Sequence, residues 1–101
     1  MERDELIEYF DLVTRQARKI LESKNHDYAG GGDAFANFTR VESLGITSTE
    51  RGMLVRMSDK ISRLSSFCEQ GKFKVDESVE DTCIDLINYS FLLLAYLRSI
   101  S

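Results

Sequence analysis

The sequence contains no proline, two cysteines and a single histidine among its 101 residues. It also lacks any run of alternating β-branched residues, the pattern typical of a half-buried strand. Apolar residues instead recur at helical spacing along most of the chain, and the length allows one modest hydrophobic core. We therefore predict a single all-α domain over residues 1–101, a compact bundle of about four helices of which three are long and one is short.

The few cysteines and the histidine do not form a metal-binding pattern. Cys68 and Cys83 have no CxxC spacing and no histidine near them in the sequence, and they occupy mostly apolar helical positions. We expect both to be buried, reduced thiols. His26 has no partners of the kind that zinc requires, so the sequence gives no support to a zinc site.

Charge and hydropathy limit the location and the partners of the protein. The net charge of -4 argues against binding to duplex nucleic acid, which relies on a surplus of lysine and arginine. Residues 1–5 are charged instead of apolar, so secretion is not indicated. The longest apolar run, residues 86–97, contains Asn88 and Ser90 and is shorter than the roughly 20 residues that span a bilayer. We expect a cytoplasmic protein without a membrane partner.

Apolar spacing and capping residues predict the first two helices. The first runs from about Asp4 to Ser23 along one apolar stripe. The second is short and covers about Ala34 to Leu44, with Asp33 as its cap and Gly45 as its stop. The positions expected to face the core are Leu6, Phe10, Val13, Ala17, Ile20 and Leu21 in the first helix, and Phe35, Phe38 and Val41 in the second.

A third helix is predicted by a capping box. Thr47 is followed three residues later by Glu50, which places the helix from about Ser48 to Gly71. Its expected buried side consists of Leu54, Met57, Ile61, Leu64 and Cys68.

The fourth helix is expected to begin near Asp76 or Glu77 and to continue to about Ser99, because acidic residues complement the positive end of a helix dipole. From Leu86 onward it is apolar nearly all round. A domain this small has few neighbours that could cover such a helix. We therefore predict a homo-oligomer, most simply a dimer, formed through the C-terminal helix.

Residues 24–38 contain the inventory of a binding site. Three glycines, residues 30–32, permit positive φ angles and a close approach of the backbone to a ligand. Charged and amide side chains and several aromatic rings surround these glycines. We predict that this segment, a glycine-rich loop followed by the start of the second helix, forms one wall of a site for a small anionic ligand.

The third and fourth helices carry the charged residues that could complete the site. Asp59 and Arg63 have the i, i+4 spacing of a surface ion pair. Glu77, Asp81 and Asp85 repeat every fourth residue and so lie along one side of the fourth helix. Carboxylates that converge from two helices can hold Mg²⁺. The same acids could instead be neutralised by basic residues of the third helix, and both interpretations remain open at this point.

These motifs together resemble the nucleotide modification associated domain 1 family, whose members are small proteins common in bacteriophages and prophages. The similarity runs from about Ile20 to Tyr96. It implies a protein that handles nucleotides, in the host cytoplasm if it is encoded by a phage. The motifs that carry the resemblance are residues 24–28, 35–38 and 59–64, the pairs Glu77-Ser78, Asp81-Thr82 and Asp85-Leu86, and Tyr89.

A more distant resemblance is to the MazG-like all-α nucleoside triphosphate pyrophosphohydrolases, which gather acidic residues from neighbouring helices around Mg²⁺. The acids of the fourth helix look like their second acidic motif. On the third helix only Asp59 is acidic in the corresponding region, where those enzymes are rich in glutamate. This resemblance implies a Mg²⁺-dependent hydrolase with Asp59, Glu77 and Asp81 as catalytic residues and these three with Asp85 as metal ligands.

Two hypotheses of function follow. In the first, the protein is such a pyrophosphohydrolase, and the metal activates a water that attacks a nucleotide phosphate. In the second, it binds a nucleotide or a nucleotide-derived defence signal without turnover, as an anti-defence protein would, and the acids only orient the basic side chains. A helical adaptor for protein partners is a third hypothesis, which leaves the glycine-rich segment unexplained.

The residues expected to contact the ligand are Lys24, Asn25, Asp27, Tyr28, Phe35, Asn37, Phe38, Arg56, Lys60 and Arg63.

Overall fold

The part of the chain that the structure describes contains four helices. A computed structural model describes residues 1–29, 33–71 and 74–101, and it describes the side chains of the first helix as far as Lys24. The helices are α1 (Arg3–Ala29), α2 (Ala36–Ser43), α3 (Thr49–Glu69) and α4 (Glu77–Ile100). No strand occurs in these ranges. The prediction of an all-α fold with three long helices and one short helix is confirmed.

α1 is longer than its sequence prediction. It continues to Ala29 instead of ending at Ser23. The assignment of residues 24–29 to a loop was therefore wrong. The physical reason is that these residues include no glycine or proline, so the chain meets no helix breaker before Gly30.

α2 begins later than expected. Its first residue is Ala36, and Phe35 is the cap position without a side-chain capping bond. The Asp33 carboxylate instead accepts a hydrogen bond from the backbone N–H of Phe35 at 3.0 Å, so Asp33 shapes the turn before the helix. Gly45 follows the helix with φ +75°, a left-handed conformation that glycine adopts without steric cost, which confirms the predicted stop.

The caps of the two long C-terminal helices fix their starting points. In α3 the hydroxyl oxygen of Ser48 accepts from the backbone N–H of Arg51 at 3.4 Å, so the cap is Ser48 and not Thr47. In α4 the carboxylate of Asp76 accepts from the N–H of Val79 at 3.0 Å. The predicted start of α4 is confirmed, and its acidic first turn complements the helix dipole.

A small aromatic core holds the bundle together. Phe38 of α2, Met53 of α3 and Tyr96 of α4 are buried against one another. Phe35 meets the edge of Tyr96 at a ring-centroid distance of 5.5 Å. Edge-to-face pairs of this kind add about 0.5–1.5 kcal/mol to the burial of the rings. α2 is thereby fixed across α3 and α4.

The buried side of α3 differs from the predicted one. Leu54 and Ile61 are exposed, while Thr49 and Met53 are fully buried. Met57 and Leu64 are half-buried as predicted, so the buried side is rotated only in part relative to the apolar stripe. It also carries Lys60, whose side chain is only 14% exposed and reaches α4. A polar contact inside the bundle thus sets the orientation of α3 that apolar spacing alone did not predict.

Both cysteines are exposed, so the expectation of buried thiols was wrong. Cys68 lies near the carboxyl end of α3, on the side that the rotation of the helix turns outward. Cys83 lies on α4 between the buried Thr82 and Ile84, but its own side chain is exposed.

Much apolar surface is uncovered on the outer sides of α1 and α4. Leu6 and Phe10 of the predicted α1 stripe are exposed, whereas Ala17 on the same stripe is buried. On α4, Phe91 and Leu94 are 52% and 63% exposed. By length and composition alone, α4 is the one helix of the described residues that could cross a membrane. It exceeds the apolar run of residues 86–97 because it includes its polar first turns.

Candidate functional site

A cleft of about 360 Å³ opens where the carboxyl-terminal part of α1 meets the other three helices. Its walls combine cationic, amide, aromatic and aliphatic side chains with one carboxylate. The lining residues are Leu21, Lys24, Ala34, Asn37, Phe38, Arg56, Asp85, Asn88, Tyr89 and Leu92.

An arginine and two aromatic rings form one side of the cleft. Phe38 and Tyr89 pack edge to face with their ring centroids 6.1 Å apart. The guanidinium carbon of Arg56 lies 5.9 Å from the centroid of the Phe38 ring, within the range of a cation–π contact. Arg56 Nη1 also donates to the hydroxyl oxygen of Tyr89 at 3.5 Å. These contacts hold an exposed guanidinium group at the mouth of the cleft.

A carboxylate bridge joins three helices at the other side. Asp85 of α4 contacts Lys24 of α1 through Oδ1 and Lys60 of α3 through Oδ2, each at 3.0 Å from the lysine Nζ. The Asp85 side chain is 17% exposed, whereas Lys24 is 50% exposed. Lys24 therefore remains accessible to a ligand, and the bridge fixes its position.

The protonation state of Asp85 follows from this bridge. Partial burial raises the pKa of the Asp85 carboxyl group, but hydrogen bonds and charge from Lys24 and Lys60 outweigh it and hold the pKa below its ordinary value. Asp85 is consequently ionised at neutral pH. The two lysines thus offset the repulsion between the carboxylates of Asp85 and Asp81, which lie four residues apart on α4.

Two asparagines supply neutral hydrogen-bonding groups to the cleft. The Nδ2 of Asn88 donates to the backbone oxygen of Ala17 at 3.0 Å, which ties α4 to α1 beneath the cleft. Asn37 enters from α2, one residue before the buried Phe38. Amide side chains can donate and accept, as recognition of base edges and ribose hydroxyls requires.

A second, more open depression of about 600 Å³ shares Asp85 with the cleft. Among its described lining residues there is no aromatic ring, and two basic residues face four carboxylates. It is lined by Lys60, Arg63, Asp76, Glu77, Ser78, Asp81, Thr82 and Asp85. We call it the acidic depression.

The acids do not converge as a magnesium site requires. Asp59 Oδ2 contacts Arg63 Nε at 3.3 Å, the i, i+4 pair expected from the sequence, and Asp59 does not line the acidic depression. Both oxygens of Asp85 contact lysines. Within the described ranges, no three Asp, Glu, His or Cys side chains form a group that could hold a metal ion. In this arrangement the residues do not fit Mg²⁺, and its binding stays a prediction.

The predicted site residues fall into four places. Lys24, Asn37, Phe38, Arg56 and Asp85 meet at the cleft, and Lys60, Arg63, Glu77 and Asp81 line the acidic depression. Asp59 is paired on the exposed side of α3, and Phe35 packs on Tyr96 in the core. The predictions for Asn25, His26, Asp27 and Tyr28 concern side chains outside the described residues.

Sequence reasoning assigned no ligand contact to three α4 residues that line the cleft, namely Asn88, Tyr89 and Leu92. With Asp85 as position i, they occupy positions i+3, i+4 and i+7 and therefore share one side of the helix with it. Asn88 was also a polar residue inside an apolar run. Following the side of α4 that carries Asp85 toward the carboxyl end of the helix would have identified these three residues.

Fold and cleft together define a small four-helix domain with a polar and aromatic cleft between its helices. Residues 24–97 match the sequence model of the family described as nucleotide modification associated domain 1. The chain belongs to this family, which confirms the resemblance found in the sequence. The match does not concern the MazG-like pyrophosphohydrolases, and similarity to them stays a prediction.

Further comparisons add nothing to this assignment. Neither the curated proteins nor the solved structures include a significant match to the chain.

Proposed function

We propose that this protein binds a nucleotide in the cleft between its four helices. The observation that supports the proposal best is the grouping of an accessible lysine, a held guanidinium group, two amides and an aromatic pair around one cavity. Each of these groups matches one part of a nucleotide. The family assignment agrees with this chemistry, because its description associates it with nucleotides.

The phosphate end of the ligand would lie near Lys24 and Arg56. Ammonium and guanidinium groups make charge-assisted hydrogen bonds to phosphate oxygens, and such bonds are about twice as strong as neutral ones. Lys24 is held by Asp85 and Arg56 by Tyr89, so little side-chain freedom is lost when a ligand binds.

The nucleoside end would lie between Tyr89 and the asparagines. Tyr89 is partly exposed and offers a ring edge and face to a base, whereas Phe38 is largely buried and supports it. Stacking of a base on an aromatic ring contributes about 1–3 kcal/mol. Asn37 and Asn88 would then contact base edges or ribose hydroxyls.

In this proposal the carboxylates position cations instead of holding metal. Asp85 orients Lys24 and Lys60, and Asp59 orients Arg63. Binding without turnover is the function to which such an arrangement is suited, including removal of a nucleotide-derived signal from solution.

Magnesium-dependent hydrolysis is the second candidate. The observation in its favour is that Glu77, Asp81 and Asp85 line one depression next to the cleft. Their carboxylates would have to regroup, and Asp85 would have to leave its lysines. We rank hydrolysis below binding for that reason.

One titration series separates the two candidates. Purified protein is titrated calorimetrically with a panel of nucleotides in EDTA and again in Mg²⁺, and the mixtures are then analysed for products. Binding in EDTA without product formation supports the proposal. Product formation only in Mg²⁺ supports hydrolysis, and a panel without any binding contradicts the proposed function.

The location of the site is tested by exchanging Lys24. We expect Lys24→Ala to weaken nucleotide binding by about 10-fold, because one charge-assisted contact of roughly 1.5 kcal/mol is lost. Lys19→Ala is the matched control, since Lys19 is exposed on the same helix and does not line the cleft. Equal affinity of both variants would place the ligand elsewhere.

We also propose that two copies of the chain associate in the cytoplasm through the outer side of α4. The support is the row of exposed apolar residues that includes Phe91 and Leu94, beside the exposed half of the α1 stripe. Sedimentation analysis should show a dimer that Leu94→Glu converts to a monomer. A monomeric wild-type protein, or one recovered only with lipid, would contradict this assembly.

A further inference from the structure

The charges around the cleft point to the number of phosphates on the ligand. We infer that the cleft selects a nucleoside monophosphate over the corresponding di- and triphosphates in the absence of divalent cations. This inference rests on the proposed function and narrows its substrate class.

The charge of the cleft favours a ligand with a single phosphate group. Among the described residues that line the cleft, Lys24 and Arg56 are two cations beside the carboxylate of Asp85, which leaves an excess of one positive charge. A phosphate monoester carries about 1.5 to 2 negative charges at pH 7. One terminal phosphate therefore already uses the positive excess of the cleft, and Asp85 sets this limit by offsetting one of the cations.

The acidic depression beside the cleft disfavours further phosphate groups. A phosphate chain that extends past Asp85 enters the acidic depression, where Lys60 and Arg63 face Asp85 and three further carboxylates. Counted over the described lining residues, the local excess there is two negative charges, opposite in sign to that of the cleft. Added phosphates meet like charge, which disfavours their binding. The three further carboxylates are those of Asp76, Glu77 and Asp81.

The volume of the cleft also limits the size of the ligand. At about 360 Å³ it lies near the lower end of the roughly 300–1,000 Å³ that small-molecule pockets occupy. A cleft of this size fits one base with its sugar and one phosphate group. A second nucleotide unit would have to lie outside it.

The test uses the wild-type chain and requires no variant. Calorimetric dissociation constants are measured in EDTA, at constant ionic strength, for the mono-, di- and triphosphates of adenosine, guanosine, cytidine and thymidine. We expect at least one base to bind, with the monophosphate at least about fivefold tighter than the triphosphate, as one added like-charge contact predicts. Equal or tighter binding of the triphosphate would overturn the inference and leave nucleotide binding intact. Absence of binding in all series would overturn the proposed function itself.

A charge exchange at Asp85 tests the stated cause. Asp85→Asn adds one positive charge to the site, so the affinity ratio of triphosphate to monophosphate should rise by about fivefold. Asp11→Asn makes the same chemical change on the exposed amino-terminal half of α1 and should leave the ratio unchanged. The same ratio in both variants would show that Asp85 does not set the preference. The wild-type series decides the preference even if Asp85→Asn lowers stability.

Discussion

The cleft and the acidic depression share Asp85 but differ in almost every other respect. Among the described residues, the cleft has aromatic and amide walls and an excess of positive charge, whereas the depression is lined by no ring and has an excess of negative charge. The cleft is also the more enclosed of the two, because α2 lies across it. The difference teaches that one row of acids at i, i+4 spacing does not imply one metal site, since each acid takes its role from its neighbours.

Asp85 shows this dependence on neighbours most clearly. It stands in the same row as Glu77 and Asp81, but the two lysines that it contacts come from α1 and α3. Its partners lie far away in sequence, and they turn a potential metal ligand into a positioning residue for cations. We therefore expect substitutions in the cleft and substitutions in the acidic depression to have different consequences.

The largest expected effect comes from exchanging an arginine in each region. Arg56→Ala should weaken nucleotide binding by about 10- to 100-fold, because a charged contact with phosphate or base contributes roughly 1.5–3 kcal/mol. Arg63→Ala, in the acidic depression, should change the dissociation constant much less. Calorimetric titration of both variants measures the difference. A larger effect of Arg63→Ala would reverse the roles assigned to the two regions.

A change at Gly52 tests how α2 closes the cleft. A Cβ atom at Gly52 would lie 2.9 Å from Cγ2 of Val41, so Gly52→Ala must either displace the Val41 side chain or push α2 away from α3. We expect a loss of about 1–3 kcal/mol in the free energy of unfolding, as overpacking typically costs, together with weaker nucleotide binding because α2 carries Asn37. Chemical denaturation and titration measure the two effects.

The control for this change removes the clashing group. Val41→Ala combined with Gly52→Ala should be more stable than the sum of the two single changes, because the Cγ2 atom is then absent. Simple additivity of the two changes would show that the contact does not limit the approach of α2.

The smallest expected effect is the pH dependence of the Asp85 bridge. The pKa of Asp85 is lowered in the folded protein, so the bridge stabilises the fold above the ordinary pKa of 3.8 and loses this contribution as the pH falls through the folded value. Asp85→Asn should cost about 1 kcal/mol at neutral pH, the upper end for a partly exposed pair. The difference from the wild type should disappear in acid, as followed by urea denaturation. A pH-independent difference would mean that packing, and not charge, accounts for the loss.

The fold was largely predictable because each helix carries local signals. Asp76 and Gly45 mark helix ends in the sequence as they do in the structure. The orientation of α3 was not predictable, because it depends on Lys60 meeting a carboxylate 25 positions away. Local periodicity contains no information about such a contact.

The candidate site was predictable in its residue types more than in its grouping. Lys24, Asn37, Phe38 and Arg56 were chosen as ligand contacts and do line one cleft. Phe35 was chosen on the same grounds and packs in the core instead. The sequence shows which side chains can bind a nucleotide, but tertiary packing decides which of them face the same cavity.

The most direct test of the central claim is a map of the ligand's position by NMR. A uniformly ¹⁵N-labelled sample is titrated in EDTA with a nucleoside monophosphate that binds in calorimetry, and the side-chain amide signals of Asn37 and Asn88 are followed. The account predicts that both signals shift with saturation, while the backbone signals of residues 76–81 change little. Shifts confined to residues 76–81, with both asparagine side chains unaffected, would contradict nucleotide binding in the cleft.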